Sequence, residues 1–382
     1  MKCWLILCIC AALWACSGNQ EKSARDPQVA PLEQWPGPLG HVHLRQSAGA
    51  LDNFSLLDIG LVIFDPGVPL DAARHSKEGI FPEIRKAEAR YLPYLLRQAL
   101  VKTEAWGAVR VLPKPDTSSE LLLTGKILHS DGMRLVLQMR ATDASGRVWI
   151  DRVYHDEAGQ SDYPVRLGEE PYADIYRKIA NDLLALREQL SRVELETVRN
   201  VALLQYASGL SPDAFSDFVS EGEDGSLAIQ RLPSQDDPML ARVRRIQNQE
   251  YLFIDNADEQ YLALYDQMTP TYNLWRQNGR ELAIYKTEYE ARVASREPDG
   301  QRGTFVQMQQ TYNTYKRAKE HDQDLDEIAE GFNNEVAPTV MEIEGKVFRL
   351  NGSLESQYSE WRSILRSIFS LETGLPPTDD NP

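Results

Sequence analysis

The residues able to do chemistry are few, and their placement narrows what that chemistry is. All four cysteines, Cys3, Cys8, Cys10 and Cys16, fall in the first sixteen residues, and none follows. A body without thiols forms no internal disulfide and offers no thiolate to a metal. His41 and His43 form an isolated H-x-H in a proline-rich stretch; with no third ligand nearby they read as a solvated pair. Asp322, Asp324 and Asp326 imitate the start of a calcium loop. Position six is Glu327 where glycine must turn the chain, and position twelve is Asn333 where a bidentate glutamate belongs. The three aspartates therefore read as a solvated acidic helix face. His155-Asp156-Glu157 ends an alternating strand beside Gly159 and reads as an edge cluster rather than an acid–base pair. No G-x-S-x-G, S-x-x-K, G-x-x-x-x-G-K or H-E-x-x-H is present, so none of the chemistries requiring those spacings is indicated. No catalytic residue, metal site or cofactor site is expected.

Cys16 is the exception, because of what precedes it. Lys2 gives a short positive start, and Cys3 to Trp14 gives an apolar stretch of about a dozen residues. That length suits a cleaved export signal and falls short of the roughly 20 residues needed to span a bilayer. Leu13-Trp14-Ala15-Cys16 then meets Ser17, Gly18, Asn19 and Gln20. The pattern resembles the lipobox of bacterial lipoproteins: aliphatic at −3, small at −1, cysteine at +1, with Trp14 departing from the usual small residue at −2. The resemblance implies cleavage before Cys16 and lipid modification of that residue. Ser17 at +2 is not the aspartate that retains such proteins at the inner membrane, which implies the periplasmic face of the outer membrane. An ordinary secretory signal and a retained anchor helix stay open as alternatives. Beyond Cys16 no segment approaches 18 consecutive apolar residues, so membrane attachment is expected through the N-terminal lipid alone.

The chain has 382 residues, 42% hydrophobic, enough for a sizeable core and an expected two domains. Its formal charge of −16 becomes −17 once Lys2 leaves with the signal. Nucleic-acid binding rests on basic patches, so nucleic acid is not an expected partner.

The elements expected to carry these residues fall in order along the chain. Residues 16–56, with Pro27, Pro31, Pro36 and Pro38, read as an extended tether. Ile59–Phe64 reads as a buried strand and Glu83–Thr103 as a helix with one broad apolar face. Ala108–Leu112 follows as a short strand. Leu121–Leu128, Asp131-Gly132, the alternating stretch Leu135–Arg140, Ala144-Ser145-Gly146 and Arg147–Tyr154 read as a three-strand meander with tight turns. Tyr172–Leu190 closes an α/β domain over 57–192. A helical connector and acidic linker are expected over 193–237. From 238 to 373 apolar residues recur at three- and four-residue steps, including Val340, Ile343, Val347 and Leu350. This spacing predicts a long all-α domain, either a coiled-coil-like hairpin or a four-helix bundle, with Pro270 and Pro338 as kinks or helix starts. The tyrosines of 251–315 read mainly as core, their hydroxyls alternatively lining a partner groove. Residues 374–382 read as a disordered tail. The fold class is thus α+β: a mixed sheet with flanking helices, then helices alone.

The order β-α-β-β-β-β-α resembles the TolB N-terminal-like domain. The residues that carry the resemblance are Ile59–Phe64, Arg85–Thr103, Leu122-Leu123-Thr124-Gly125-Lys126-Ile127 with its meander, and Asp143-Ala144-Ser145-Gly146-Arg147-Val148-Trp149. That fold occurs in lipoproteins of curli secretion and polysaccharide export and in activators of penicillin-binding proteins. The resemblance implies a non-enzymatic scaffold or adaptor in envelope assembly or export, working through protein partners, with homo-oligomerisation left open. Regulation of a peptidoglycan synthase is the alternative, and an envelope hydrolase a remote one. No small-molecule substrate is evident.

Overall fold

Ile59-Gly60-Leu61-Val62 contains no polar residue, and it becomes β1 (Ile59–Val62), buried at every position. A strand covered on both faces belongs at the centre of a sheet. The computed structural model describes residues 35–294 and 338–375 apart from short gaps, with two isolated positions between. It places β1 inside a five-stranded mixed sheet of order β2-β1-β3-β4-β5. The other strands are β2 (Val109–Leu112), β3 (Leu121–Ser130), β4 (Arg134–Asp143) and β5 (Val148–Glu157). β1 pairs in parallel with β2 and β3, and β3-β4-β5 is the expected antiparallel meander.

Between β1 and β2 run α1 (Ala72–Glu78), which the sequence pattern did not single out, and α2 (Pro82–Val101). Pro82 starts α2, where a missing N–H costs nothing. Pro93 lies inside α2 and cannot bond the Ala89 carbonyl; the Phe64 N–H takes that carbonyl instead at 2.9 Å. The break in the helix ladder thereby ties α2 to the end of β1. After β5 comes α3 (Ala173–Arg187), whose first turn is capped from a distance: Asp156 on β5 accepts from the Ile175 N–H at 3.3 Å. α4 (Arg192–Leu210) opens with a capping box in which Ser191 and Glu194 bond each other's backbone N–H. α5 (Pro212–Phe215) is a single turn.

Four expectations change. First, the stretch read as tether is held from Pro36 onward: the Leu39 N–H donates to His155 O at 2.9 Å and the Ser47 N–H to Thr103 O at 2.9 Å. Second, the acidic linker contains a hairpin, β6 (Val219–Glu221) with β7 (Leu227–Ile229). Third, the C-terminal part is not all-α. β8 (Thr339–Ile343) and β9 (Lys346–Leu350) pair as a hairpin over residues whose spacing had read as helix. Thr339, Met341 and Ile343 point inward while Val340 is 57% exposed, so the operative period is two. Fourth, the C-terminal elements share a core with the α/β part. Their buried residues join those of the α/β part in a single apolar cluster. No helix among the described residues is long and apolar enough to cross a membrane.

The long helix is α6, Pro238–Ala294, 57 residues, about 85 Å at 1.5 Å per residue. It passes through Pro270 without ending, because Pro270 and Asp266, whose carbonyl loses its bond, both lie on the exposed face. Phe253, Ala257, Tyr261, Tyr265, Met268, Tyr272 and Trp275 lie buried on the opposite face. α7 (Leu354–Thr373) packs beside the first half of α6, with the Trp361 indole donating to Gln249 O at 3.1 Å. Of the helical stretch expected over 238–373, residues 295–337 lie outside the described residues apart from Lys316 and Gln323.

Candidate functional site

The residues singled out from the sequence do not converge. Cys16 and Asp322, Asp324 and Asp326 lie outside the described residues. His41 and His43 meet edge to edge with centroids 4.5 Å apart, and His41 Nδ1 stands 3.6 Å from Asp174. Among the described residues no three His, Cys, Asp or Glu side chains are arranged to hold a metal. At the end of β5, His155 Nδ1 contacts Pro36 O at 2.9 Å, and Asp156 is buried at the start of α3. Burial, then the neighbouring Asp174, raises the Asp156 carboxyl to about 7. Of the tyrosines in α6, Tyr261, Tyr265 and Tyr272 are buried in the core and Tyr251 is half-buried: Tyr94 and Tyr265 stack at 4.6 Å, and Tyr91 meets Tyr272 at 5.4 Å.

What the fold does concentrate is buried charge where α6 meets the α/β body. At one end, Glu88 of α2 is fully buried and accepts from Ser130 Oγ at 2.5 Å and Tyr272 Oη at 2.7 Å, with Arg85 Nε 3.5 Å away. One helical turn along α6, Arg276 makes a bidentate pair with Glu170 at 2.6 and 3.0 Å. Its guanidinium lies 4.4 Å over the Tyr272 ring. Burial opposes the Arg276 charge, but Glu170 and Tyr272 outweigh it and hold the guanidinium well above its ordinary range. The β3–β4 turn closes against this point: a Cβ on Gly132 would stand 1.8 Å from Arg276 O and 2.2 Å from Arg280 N.

Toward the start of α6, Glu250 accepts from Tyr358 Oη at 2.6 Å and Tyr206 Oη at 2.8 Å, bringing α4, α6 and α7 to one carboxylate. Arg362 Nε lies 3.4 Å from Glu250, and Arg362 Nη2 lies 3.3 Å from Asp116. Burial and the nearby Asp116 raise the Glu250 carboxyl to about 7, against the pull of Arg362. Between the two networks the sheet edge is fastened. Arg97 donates to Val109 O at 2.7 Å, and Arg110 bonds Asp255 at 2.8 Å while lying 4.1 Å over the Tyr251 ring. Asp258 accepts from the Val111 N–H at 3.5 Å, and burial raises its carboxyl to about 7. Edge strand β2 is thus covered by side chains, which blocks further strand addition there.

These groups pair chiefly with one another, although the buried Arg85 Nη1 and Arg276 Nε find no hydrogen-bond partner among the described residues. Glu88, Arg276 and Glu250 are at most 2% exposed, and a cavity of about 20 Å³ beside Glu250 and Arg362 has room for about one water. The networks fasten α6 to the body. Sequence reasoning passed over them although a signal existed: each charge stands in an apolar stripe at four-residue spacing. The series are Ile84-Glu88-Leu92, Ile246-Glu250-Ile254 and Met268-Tyr272-Arg276. A charge at such a position is either a break in the stripe or a buried partner, and only the opposing element decides which. No known protein family, curated protein or solved structure matches the chain.

Proposed function

We propose that this protein is a non-enzymatic adaptor of the bacterial cell envelope, held by lipid on Cys16 at the periplasmic face of the outer membrane. In this reading it binds protein partners through the surface that its α/β body and long helix share. The observation that carries the reading is the fastening of α6: Arg276 pairs with Glu170 just before α3 and Glu250 pairs with Arg362 of α7, holding a 57-residue helix against its neighbours, and the cavities described beside it are of about 20 Å³ each. Such a body suits presenting a fixed surface better than enclosing a substrate, since small-molecule sites are concavities of a few hundred Å³. Apart from the extra short α1, the order β1-α1-α2-β2-β3-β4-β5-α3 follows the one on which the TolB N-terminal-like resemblance rests, and this supports the placement among envelope lipoproteins.

Two measurements test this. Metabolic labelling with a clickable palmitate should mark the wild-type protein and not Cys16→Ala, and the variant should leave the membrane fraction. A Cys16→Ala protein still pelleting with membranes would overturn the anchor. Photo-crosslinkers placed at the exposed Leu252, Leu262 and Leu274 of α6 should capture an envelope protein in intact cells. Their failure to capture any protein partner would overturn the adaptor reading.

A further inference from the structure

The segment joining the anchor to the body is not simply a spacer. From Pro36 to Ser47 it lies as an extended strap against β5 and α3, held by polar bonds along its length and by Leu39 and Leu44, which pack against the edge of the core. His155 grips it at both Pro36 O and the Leu39 N–H. α3 then presents a row of groups along one face. The Val42 N–H donates to Asp174 Oδ1 at 3.1 Å, and the Arg45 N–H donates to Asn181 Oδ1 at 2.8 Å. Asn181 Nδ2 returns a bond to His43 O at 2.8 Å, and the Arg45 guanidinium forks onto Glu188 at 2.8 and 3.1 Å. The seven-residue steps from Asp174 to Asn181 to Glu188 keep all three on one side of the helix. The far end is fixed by the Ser47 N–H at Thr103 O and by Gln46 Nε2 at Lys102 O.

The apolar backing of these bonds is partial. Leu39, Val42 and Leu44 are half-buried, and Gly40, His41, His43, Arg45 and Gln46 are exposed. Exposed ion pairs and solvated hydrogen bonds contribute little net stability, and segments so held open at low cost while the core stays folded.

We propose that residues 36–47 form a releasable strap that sets the reach of the anchored protein. This rests on the Cys16 anchor for its biological consequence, though not for the strap's opening. With the strap docked, the chain from Cys16 to Trp35 spans at most about 70 Å; release adds twelve residues, up to about 40 Å more. A body close to the membrane and a body well away from it are then two states of one molecule. A partner that pulls on the body shifts the population outward.

Hydrogen exchange on the full-length lipidated protein in vesicles tests this directly. In the wild type the Val42 and Arg45 amides should exchange at least a hundredfold faster than amides of the β3–β4 ladder, yet slower than in a free peptide. The double variant Arg45→Ala/Asn181→Ala should bring them to free-peptide rates, raise tryptic cleavage within the strap about tenfold, and leave the ladder amides unchanged. Energy transfer from a bilayer dye to a label on the body should fall in the variant. If the wild-type strap amides exchange only at the rate of the ladder, the strap is part of the fold and the proposal fails, whatever the variant does. A protein that never associates with vesicles would sink the anchor reading instead, while the exchange result on the strap would stand.

Discussion

Gly132 occupies a turn whose dipeptide, Asp131-Gly132, signals a hairpin, yet it does not adopt a left-handed conformation. What demands glycine there is the closeness of the α6 backbone. Gly132→Ala should therefore cost about 3 kcal/mol in chemical denaturation, at the upper end for overpacking. Gly209→Ala, inside α4 with open space around its Cβ, should instead stabilise by about 0.5–1 kcal/mol. Equal effects at the two positions would contradict the close-approach account. Glu250 makes a second residue-scale prediction. Its carboxyl is raised to about 7 from an ordinary 4.5, so the folded state holds a proton that the unfolded chain releases. The stability linked to that proton is fully present below pH 4.5 and is lost as pH rises to about 7. Relative to Glu250→Gln, the wild type should lose on the order of 2–3 kcal/mol across that window. Parallel pH profiles for the two proteins would refute the assignment. Neither effect was legible in the sequence, since both depend on what α6 brings against distant residues.

At the scale of elements, α2 shows how a local rule yields to a tertiary contact. Propensity alone credits replacement of an interior helix proline by alanine with about 3 kcal/mol. In Pro93→Ala the new N–H competes for Ala89 O with the Phe64 N–H that now holds it. The gain should accordingly fall below about 1 kcal/mol, because a buried donor left unpaired costs about 1–3 kcal/mol; denaturant midpoints of the two proteins decide. The meander was readable because its signals are local: alternation along β4 and β5, and a turn at Ala144-Ser145-Gly146 with Gly146 at φ 87°. β8 and β9 were misread because Val340, Ile343, Val347 and Leu350 satisfy a three-four spacing as well as they occupy two short strands. A five-residue strand holds too few apolar positions to separate period two from period 3.6. The turn at Gly345, in the left-handed region at φ 74°, was the discriminating sign.

For the whole molecule, the shared core predicts cooperative behaviour. The body and the C-terminal elements meet through one apolar cluster and through two buried charge networks. Tryptophan fluorescence and far-ultraviolet circular dichroism should then report a single denaturation transition with coincident midpoints. Two separated transitions would restore the two-domain organisation expected from composition and periodicity.

The sequence by itself determined the elements whose cause is local. These are the buried run of β1, the amphipathic faces of α2 and α3, the meander and its turns, and the tyrosine stripe of α6. The same local character makes the lipobox-like run before Cys16 visible. Tertiary structure decided everything that depends on what lies opposite. It placed α6 along the sheet edge, turned Glu88, Glu250 and Arg276 from interruptions of apolar stripes into buried partners, and drew residues 36–47 onto α3. A periodic pattern states that a face is buried without naming its partner, and a charge within it becomes intelligible only when the partner arrives.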